Sequence, residues 1–476
     1  MSDKKAVKSN SELFKWDGNP SVGQILPLAA QHVLAAVVGC VTPAILVANA
    51  ANNAGGNVNM GLLIQVSLVF AALSTLLQLY AQKIRLGSGL PVIIGVSFAY
   101  VPTMTAIAAQ AKNVDTIFGA MIIGGVVAIL VGLFIRQIRR VFPPLVIGTV
   151  ILAIGLSLYS TAVNYMAGNS SNTYELIVEQ QGKTEALVYG SWQNWFVAFV
   201  TLMIVVLLNH YGKGLFKLAS ILIGLICGYV VALLFGMVDF SALSSSGWFQ
   251  VPMPLAFGIR FDISAILPLA ILFLVNSIQA MGDFSATTSG GMDRLPTDDE
   301  LNGGIIGYGV SNIIGAFFGC PPTATYSQNV GIVGSTKVIA RKVFTVAAAI
   351  LLIAGLIPKF SALLRTIPQC VLGGAVASVF ASIAMTGIKL LVTEKLTYRN
   401  TTVAGLAIAI GMGVSLNDGC LNQMSESIHG ALNLSMSLES FQSIINNTFA
   451  SSPVVLATIF AVFLNLILPK DRPGAE

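Results

Sequence analysis

Charged side chains are scarce in this sequence. Its 476 residues include 25 Lys and Arg and 20 Asp and Glu, so charged residues make up 9% of the chain, against about 25% in an average soluble domain. Hydrophobic residues make up 55%, and the mean hydropathy is +0.82. A water-soluble fold of this size could not cover its surface with so few charges. The composition therefore predicts a polytopic membrane protein and excludes a soluble enzyme, a nucleic-acid-binding protein and a disordered scaffold.

The residue types that build metal centres and disulfides are also few. The chain has 3 His and 5 Cys, and the cysteines are scattered without C-x-x-C spacing. The sequence contains no H-x-x-x-H pair, no P-loop and no Ser/His/Asp grouping. We therefore expect no metal, no cofactor and no enzymatic activity, and we interpret the cysteines as small packing residues.

Long apolar runs are abundant, and fourteen of them are long enough to cross or enter a bilayer. Their approximate bounds are 23–48, 57–79, 90–108, 115–135, 141–165, 190–209, 214–236, 262–284, 303–319, 322–336, 341–357, 365–387, 400–417 and 450–468. With the N-terminus inside, 20 of the 25 Lys and Arg residues fall on the cytoplasmic side, as the positive-inside rule requires. The sequence therefore predicts an all-α polytopic protein of fourteen transmembrane segments, with both termini cytoplasmic.

Segments 3 and 10 differ from the others because glycine and proline interrupt them. Segment 3 reads GSGLPVIIGVSFAYVPTM over 87–104, and segment 10 reads CPPTATYSQNVGIVGSTK over 320–337. Proline removes a backbone donor and glycine weakens a helix, so each predicts a broken helix, with a short strand that leads into a half-helix. Segment 3 is the third of the first seven segments, and segment 10 is the third of the last seven. Interrupted segments at matching positions in two halves predict a 7+7 inverted repeat with the binding site at the breaks. Ordinary kinked helices are the alternative.

Few ionisable or amide side chains lie inside the predicted segments, and such residues are candidates for function. They are His32 in segment 1, Gln279 and Asp283 one helical turn apart in segment 8, and Gln328 and Asn329 at the break of segment 10; Ser97 lies at the break of segment 3. A planar amide such as Gln328 suits a ligand with adjacent donor and acceptor atoms, or it satisfies loose backbone groups in its own broken helix. His32 could equally be a packing residue, and Asp283 an interhelical hydrogen-bond partner.

The string QNVGIVGSTK over 328–337 resembles the signature of the nucleobase–ascorbate transporter family, the nucleobase–cation symporter-2 type. That signature is Gln, Glu or Pro, then Asn, any residue, Gly, four more residues, Thr, and a basic or small residue. The residues that fit are Gln328, Asn329, Gly331, Thr336 and Lys337. Further matches are QHVLAAVVGCVTPAIL in segment 1, GSGLP before segment 3 and QAMGDFSAT in segment 8. The resemblance runs from segment 1 to segment 14.

The resemblance implies a core domain of segments 1–4 and 8–11 and a gate domain of segments 5–7 and 12–14. The corresponding division is a cytoplasmic N-terminal tail over 1–22, core domain over 23–135, gate domain over 136–261, core domain over 262–358, gate domain over 359–468 and a cytoplasmic C-terminal tail over 469–476. It also implies a homodimer in the cytoplasmic (inner) membrane, and transport by movement of the core against the gate.

The resemblance also assigns roles at the site. A Gln at the first signature position is similar to the bacterial purine permeases for xanthine, urate or related oxopurines. The implied substrate-binding residues are Gln279, Gln328, Asn329, Ser97, Phe98 and Gly331, and the implied coupling residues are Asp283 and His32. The implied function is import of a purine base by cation symport, with H⁺ rather than Na⁺ as the cation.

Two positions depart from the family pattern, because Gln279 and Tyr308 stand where the family usually has acidic residues. Gln cannot titrate, so coupling could rest on Asp283 with His32, use Na⁺, or be absent in a facilitative carrier of nucleobases, uracil included. An engineered Glu→Gln change at position 279 is a further alternative. Outside this function, an anion transporter on the same scaffold and an ion channel are the rival hypotheses.

Overall fold

The computed structural model describes residues 12–469 except 245, 418 and 433–435. Parts of both predicted tails, 1–11 and 470–476, lie outside the described residues. The described chain is mostly helical. In chain order its helices are α1 Val22–Asn53, α2 Met60–Tyr80, α3 Val101–Ala111, α4 Asp115–Leu133, α5 Ile135–Val141, α6 Pro144–Met166, α7 Trp192–Tyr211, α8 Leu215–Leu218, α9 Ser220–Leu234, α10 Ser241–Ser244, α11 Ile263–Met292, α12 Asp298–Phe318, α13 Ser327–Thr336, α14 Arg341–Gly355, α15 Pro358–Arg365, α16 Gln369–Leu391, α17 Tyr398–Ser415, α18 Asn422–Leu432, α19 Leu438–Ile445 and α20 Pro453–Ile467.

Two short strands, β1 (Ile94–Val96) and β2 (Thr323–Thr325), pair antiparallel deep inside the protein, with Gly95 opposite Ala324. β1 leads through one 3₁₀ turn into α3, and β2 leads into α13. The structure therefore confirms the short strand and half-helix predicted in segments 3 and 10. Glycine is required at position 95, because an added Cβ would lie 2.5 Å from the ring of Tyr326.

Among the described residues, eight helices are long and apolar enough to cross a membrane, or up to ten if each of two bent pairs is one span. The first bent pair joins α14 to α15 at 79°, and the second joins Leu438–Ala450 to α20 at 73°. The bend before α20 was not predicted from the sequence. These counts describe a multi-pass helical protein, and the number of fourteen segments stays a prediction.

The longest helices pack in two groups. In the first group (α1–α4 and α11–α14), α4 packs on α11 and α12, and α2 packs on α14. Strand β1 lies against α1 and α2, and strand β2 lies against α11 and α12. In the second group (α6, α7, α9, α16, α17 and α20), α16 packs on α6 and α7, and α17 packs on α20. Small residues allow the closest contact, since an added Cβ at Gly155 of α6 would lie 2.4 Å from the backbone nitrogen of Ala384 in α16.

Tertiary contacts identify two opposite faces of the molecule, which we call the N-terminal face and the opposite face. At the N-terminal face, the amides of Ile339 and Ala340 donate to the carbonyl of Leu13 at 3.1 Å, and Arg341 pairs with Asp17. At the opposite face, the amide of Leu255 donates to the carbonyl of Phe317 at 2.6 Å. α1 begins at the N-terminal face, so α13, which ends at Lys337, points toward that face.

Candidate functional site

A cavity of about 250 Å³ lies where the two broken segments meet the second helix group. From the first group its wall includes Ala35, Val38, Gly39, Ser97, Phe98, Ala99, Gln279, Thr325, Tyr326, Ser327 and Gln328. From the second group it includes Ile151, Ile154, Ile221, Val379, Ser382, Ile383 and Thr386. The cavity therefore has a largely polar wall on one side and a largely aliphatic wall on the other.

Four of the predicted site residues line this cavity: Ser97, Phe98, Gln279 and Gln328. Ser97 caps the 3₁₀ turn that follows β1, because its hydroxyl accepts from the amide of Ala99 at 3.2 Å. Gln328 is the second residue of α13 and is exposed. Gln279 comes from the middle of α11. Residues more than 180 positions apart are thus brought to one small space.

Asp283 is buried behind the polar wall of the cavity and hydrogen-bonds to two residues of that wall. Its carboxylate accepts hydrogen bonds from the hydroxyls of Thr325 and Ser327, the latter at 2.7 Å. Both hydroxyl residues line the cavity, whereas Asp283 is buried and does not. The predicted end of segment 8 at 284 was wrong as a helix boundary, since α11 continues to Met292. Asp283 therefore lies inside a helix.

His32 and Asn329 form a second contact behind the wall. The Asn329 amide nitrogen donates to the His32 carbonyl at 3.0 Å and lies 3.0 Å from its Nδ1. In this arrangement Nδ1 accepts, so the neutral ring carries its proton on Nε2. Both residues are buried and neither lines the cavity. They join α1 to α13, and the Oδ1 atom of Asn329 is buried without a hydrogen-bond partner among the described residues.

The other signature residues lie further along α13. Gly331 is exposed, and an added Cβ there would have no atom within 4 Å. The hydroxyl of Thr336 donates to the carbonyl of Ile332 at 2.8 Å. Lys337 ends the helix with φ +58° and pairs with Asp293 at 2.8 Å. The helical rise carries all three beyond the cavity, so the structure does not place Gly331 at the site as predicted.

Several cavity residues were missed in the sequence. Ser382 and Thr386 of α16 are exposed to the cavity, and their hydroxyls donate to carbonyls four residues earlier at 2.9 and 2.8 Å. Their lone pairs stay available to a ligand. Two hydroxyls at i, i+4 in an apolar helix were a signal that could have identified this face. Tyr326, also missed, donates to the carbonyl of Val96 at 2.8 Å.

Tyr308, where the resemblance implied an acidic residue, does not line the cavity. Its hydroxyl lies 2.5 Å from that of Tyr100, and both side chains are fully buried. The rings of both residues also contact Phe273. Tyr308 therefore forms an uncharged, buried pair with Tyr100 inside the first helix group.

Comparison with known proteins gives matches over nearly the whole chain. The sequence profile of a permease family matches residues 23–419. The uric acid permease PucJ of Bacillus subtilis is 33% identical over 93% of this chain and 92% of its own length. A putative purine permease of Clostridium perfringens is 30% identical over 94% and 90%. The xanthine permease XanQ of Escherichia coli is 28% identical over 96% and 94%.

Solved structures support the same fold at low sequence identity. The transmembrane domain of the cyanobacterial bicarbonate transporter BicA has a TM-score of 0.55, with 17% identity over 90% of this chain and 97% of that chain. The murine anion transporter Slc26a9 has a TM-score of 0.58, with 12% identity over 96% and 70%. The relatives are transporters and not enzymes, and the sequence profile covers the first helix group and the second group as far as α17. This chain belongs to the nucleobase–ascorbate transporter family of membrane permeases.

Proposed function

We propose that this protein imports a purine base, such as xanthine, urate or a related oxopurine, across the cytoplasmic membrane. The observation that carries the proposal is the convergence of Gln279 and Gln328 in one cavity that Phe98 also lines. The names of the related permeases, which refer to purine, uric acid and xanthine, support it.

The chemistry of the wall suits an oxopurine. Such a base presents neighbouring carbonyl and N–H groups, and the planar amide of Gln328 offers both a donor and an acceptor. Ser382 and Thr386 add acceptors from the opposite side, because their own protons are already donated to backbone carbonyls. Phe98 offers an aromatic surface to a flat ring. A cavity of about 250 Å³ lies just below the usual range of about 300–1,000 Å³ for ligand pockets, which favours a small ligand.

Proton symport through Asp283 is the coupling that we propose. An ionised carboxylate accepts hydrogen bonds, as Asp283 does from Thr325 and Ser327. A protonated carboxyl carries one O–H donor, so the hydroxyl that faces the protonated oxygen would have to turn its own proton elsewhere and accept. Uptake of a proton would then change the wall segment beside Gln328. Na⁺ coupling and facilitated diffusion are the outcomes that would replace this proposal.

We further propose that the first helix group is the core domain and the second is the gate domain, in a 7+7 arrangement of fourteen segments. The packing of α4 on α11 and α12, and of α16 on α6 and α7, supports the division. The charge asymmetry of the sequence supports a cytoplasmic N-terminal face. Movement of the core against the gate and assembly as a homodimer belong to the same proposal.

The test is uptake of labelled xanthine and urate into proteoliposomes under a proton gradient, a Na⁺ gradient or no gradient. We expect accumulation that only the proton gradient drives. Gln328→Ala should lower uptake at least tenfold, because the ligand loses a buried pair of hydrogen bonds. Gln181→Ala, in an exposed loop, is the control. Unchanged binding by Gln328→Ala would show that the site lies elsewhere.

Gln279→Glu tests the missing acid. This substitution adds a titratable group to the cavity wall without changing the side-chain shape. If the absence of this acid limits coupling, uptake should become more strongly dependent on pH than in the unsubstituted protein. An identical pH profile would mean that coupling does not involve position 279.

A further inference from the structure

The cavity is open toward the N-terminal face. Gln328 and Gly331 of α13 are exposed, and so is Gly282 of α11. An added Cβ at Gly331 or at Gly282 would meet no atom within 4 Å. Exposure continues along the two helices to Ser335 and Ser289, which lie nearer the N-terminal face. Exposed residues therefore follow these two helices from the N-terminal face to the site.

The cavity is closed toward the opposite face. Almost every residue of α1 from position 36 to position 49 is buried, and Val454 and Val455 at the start of α20 are completely buried. The half-helix α3 lies between these elements, and its first residue, Val101, is also completely buried. A substrate in the cavity cannot reach the opposite face unless α3 separates from the chain around α20.

Hydrogen bonds join α3 to that part of the chain. The hydroxyls of Thr103 and Ser452 lie 2.7 Å apart, and both residues are buried. The side-chain amide of Gln110 donates to the hydroxyl of Ser443 at 2.7 Å and accepts from the amide of Asn447. Both functional groups of the Gln110 amide are therefore used in contacts between α3 and the segment Leu438–Ala450.

The spacing of these residues shows that the contacts form one continuous seam. Thr103 and Gln110 are seven residues apart, so they share one face of α3, and Ser443 and Asn447 are four apart. Asn447 lies in a π-helical turn, Asn446–Ala450, a geometry that often occurs at functional sites. The 73° bend before α20 lays Leu438–Ala450 across the end of α3. The π-helical turn and the bend before α20 together bring the side chains of Ser443 and Asn447 to α3.

We propose that Gln110, Ser443 and Asn447 form a latch that closes the cavity toward the opposite face, and that the strength of this latch sets how often the site opens there. The inference rests on the proposed function, because a transporter must expose its site to both faces. Hydrogen bonds suit a reversible closure, since each can be exchanged for a bond to water when the helices separate. An apolar contact of the same area would expose hydrophobic surface at each opening.

The experiment measures access to the site from each face. In a variant whose five native cysteines are replaced, Ser97→Cys supplies one thiol in the cavity wall. Vesicles of either orientation are treated with a membrane-impermeant maleimide, which reaches one face only. Gln110→Leu removes both hydrogen bonds while keeping the size of the side chain. Labelling from the opposite face should rise roughly three- to tenfold, the range expected for one or two lost hydrogen bonds, and labelling from the N-terminal face should fall.

Three further variants protect the test against misfolding and non-specific effects. Ser443→Ala, on the partner segment, should raise labelling in the same direction by a smaller factor. Thr105→Val on α3 is the control, because the Thr105 hydroxyl bonds only to carbonyls of its own helix at 2.9 Å. Asn447→Ala in the Gln110→Leu background should add little, since the shared bond is already lost. Unchanged labelling in both Gln110→Leu and Ser443→Ala would overturn the latch.

The failure of the latch and the failure of the proposed function give different results. Labelling does not depend on the identity of the substrate. Increased labelling in the Ser97→Cys background, together with no purine uptake by the unsubstituted protein, would support the latch and refute the purine assignment. Purine uptake together with unchanged labelling would support the purine assignment and refute the latch.

Discussion

The two broken segments, 3 and 10, have the same backbone structure, but their half-helices hydrogen-bond to different parts of the molecule. Each is a three-residue strand that leads into a half-helix. After β1, the half-helix α3 hydrogen-bonds through Thr103 and Gln110 to the chain around α20, in the second half of the sequence. After β2, Ser327 and Asn329 hydrogen-bond to Asp283 and His32 within the first helix group.

Under the two proposals above, the paired strands serve recognition through segment 10 and closure through segment 3. Segment 10 presents Gln328 to the cavity and is held rigidly from behind by buried polar groups, which favours selective binding. Segment 3 supplies Phe98 and Ser97 to the wall, and its outer helix is held by bonds that water can replace. Substitutions in segment 10 should therefore affect ligand binding and stability, and those in the outer part of segment 3 should affect access.

The largest effect is expected from Asp283→Ala. The hydroxyl of Thr325 would lose its acceptor in a buried position, which costs about 1–3 kcal/mol, whereas the exposed hydroxyl of Ser327 can turn to water. We expect a loss of roughly 1–3 kcal/mol in the free energy of unfolding and no measurable uptake. Thermal unfolding in detergent and proteoliposome uptake measure the two effects. Asp293→Ala is the control, since Asp293 is 81% exposed. Normal uptake by Asp283→Ala would refute its positioning role.

An intermediate effect is expected from Gly95→Ala, and almost none from Gly331→Ala. The added methyl group at position 95 would overlap the ring of Tyr326, and such overpacking typically costs about 1–3 kcal/mol. At position 331 the same methyl group meets open space, and alanine favours a helix over glycine. Thermal unfolding of the two variants compares the ribbon with the half-helix. Equal destabilisation would show that the open space beside α13 is filled in the protein.

The smallest effect is expected from Lys337→Ala. Its ion pair with Asp293 joins two exposed side chains, and such pairs contribute only about 0–1 kcal/mol. Uptake should fall less than twofold, although Lys337 belongs to the family signature. The pair should also weaken at high salt, which unfolding measurements at two ionic strengths would detect. A tenfold loss of uptake would assign Lys337 a role in transport beyond this ion pair.

The sequence predicted the local features of the site better than its contacts. Glycine and proline in segments 3 and 10 predicted the strand and half-helix correctly, because these residues act on their own backbone. Signature membership did not predict which side chains line the cavity: Gln328 does, whereas Asn329 and Gly331 do not. Helical rotation and rise separate neighbours in sequence, so residues in one motif face different surroundings.

The sequence by itself determined that this is a multi-pass membrane protein, where its helices break, and to which family it belongs. Each of these conclusions depends on composition or on short strings of residues, which can be recognised without knowing the tertiary contacts. Only the tertiary structure decided that Asp283 holds Thr325 and Ser327, that α16 adds two hydroxyls to the cavity, and that Gln110 meets Asn447. Such partners are hundreds of residues apart or on separate helices, and they meet only because the packing of small and apolar residues sets the distances between helices.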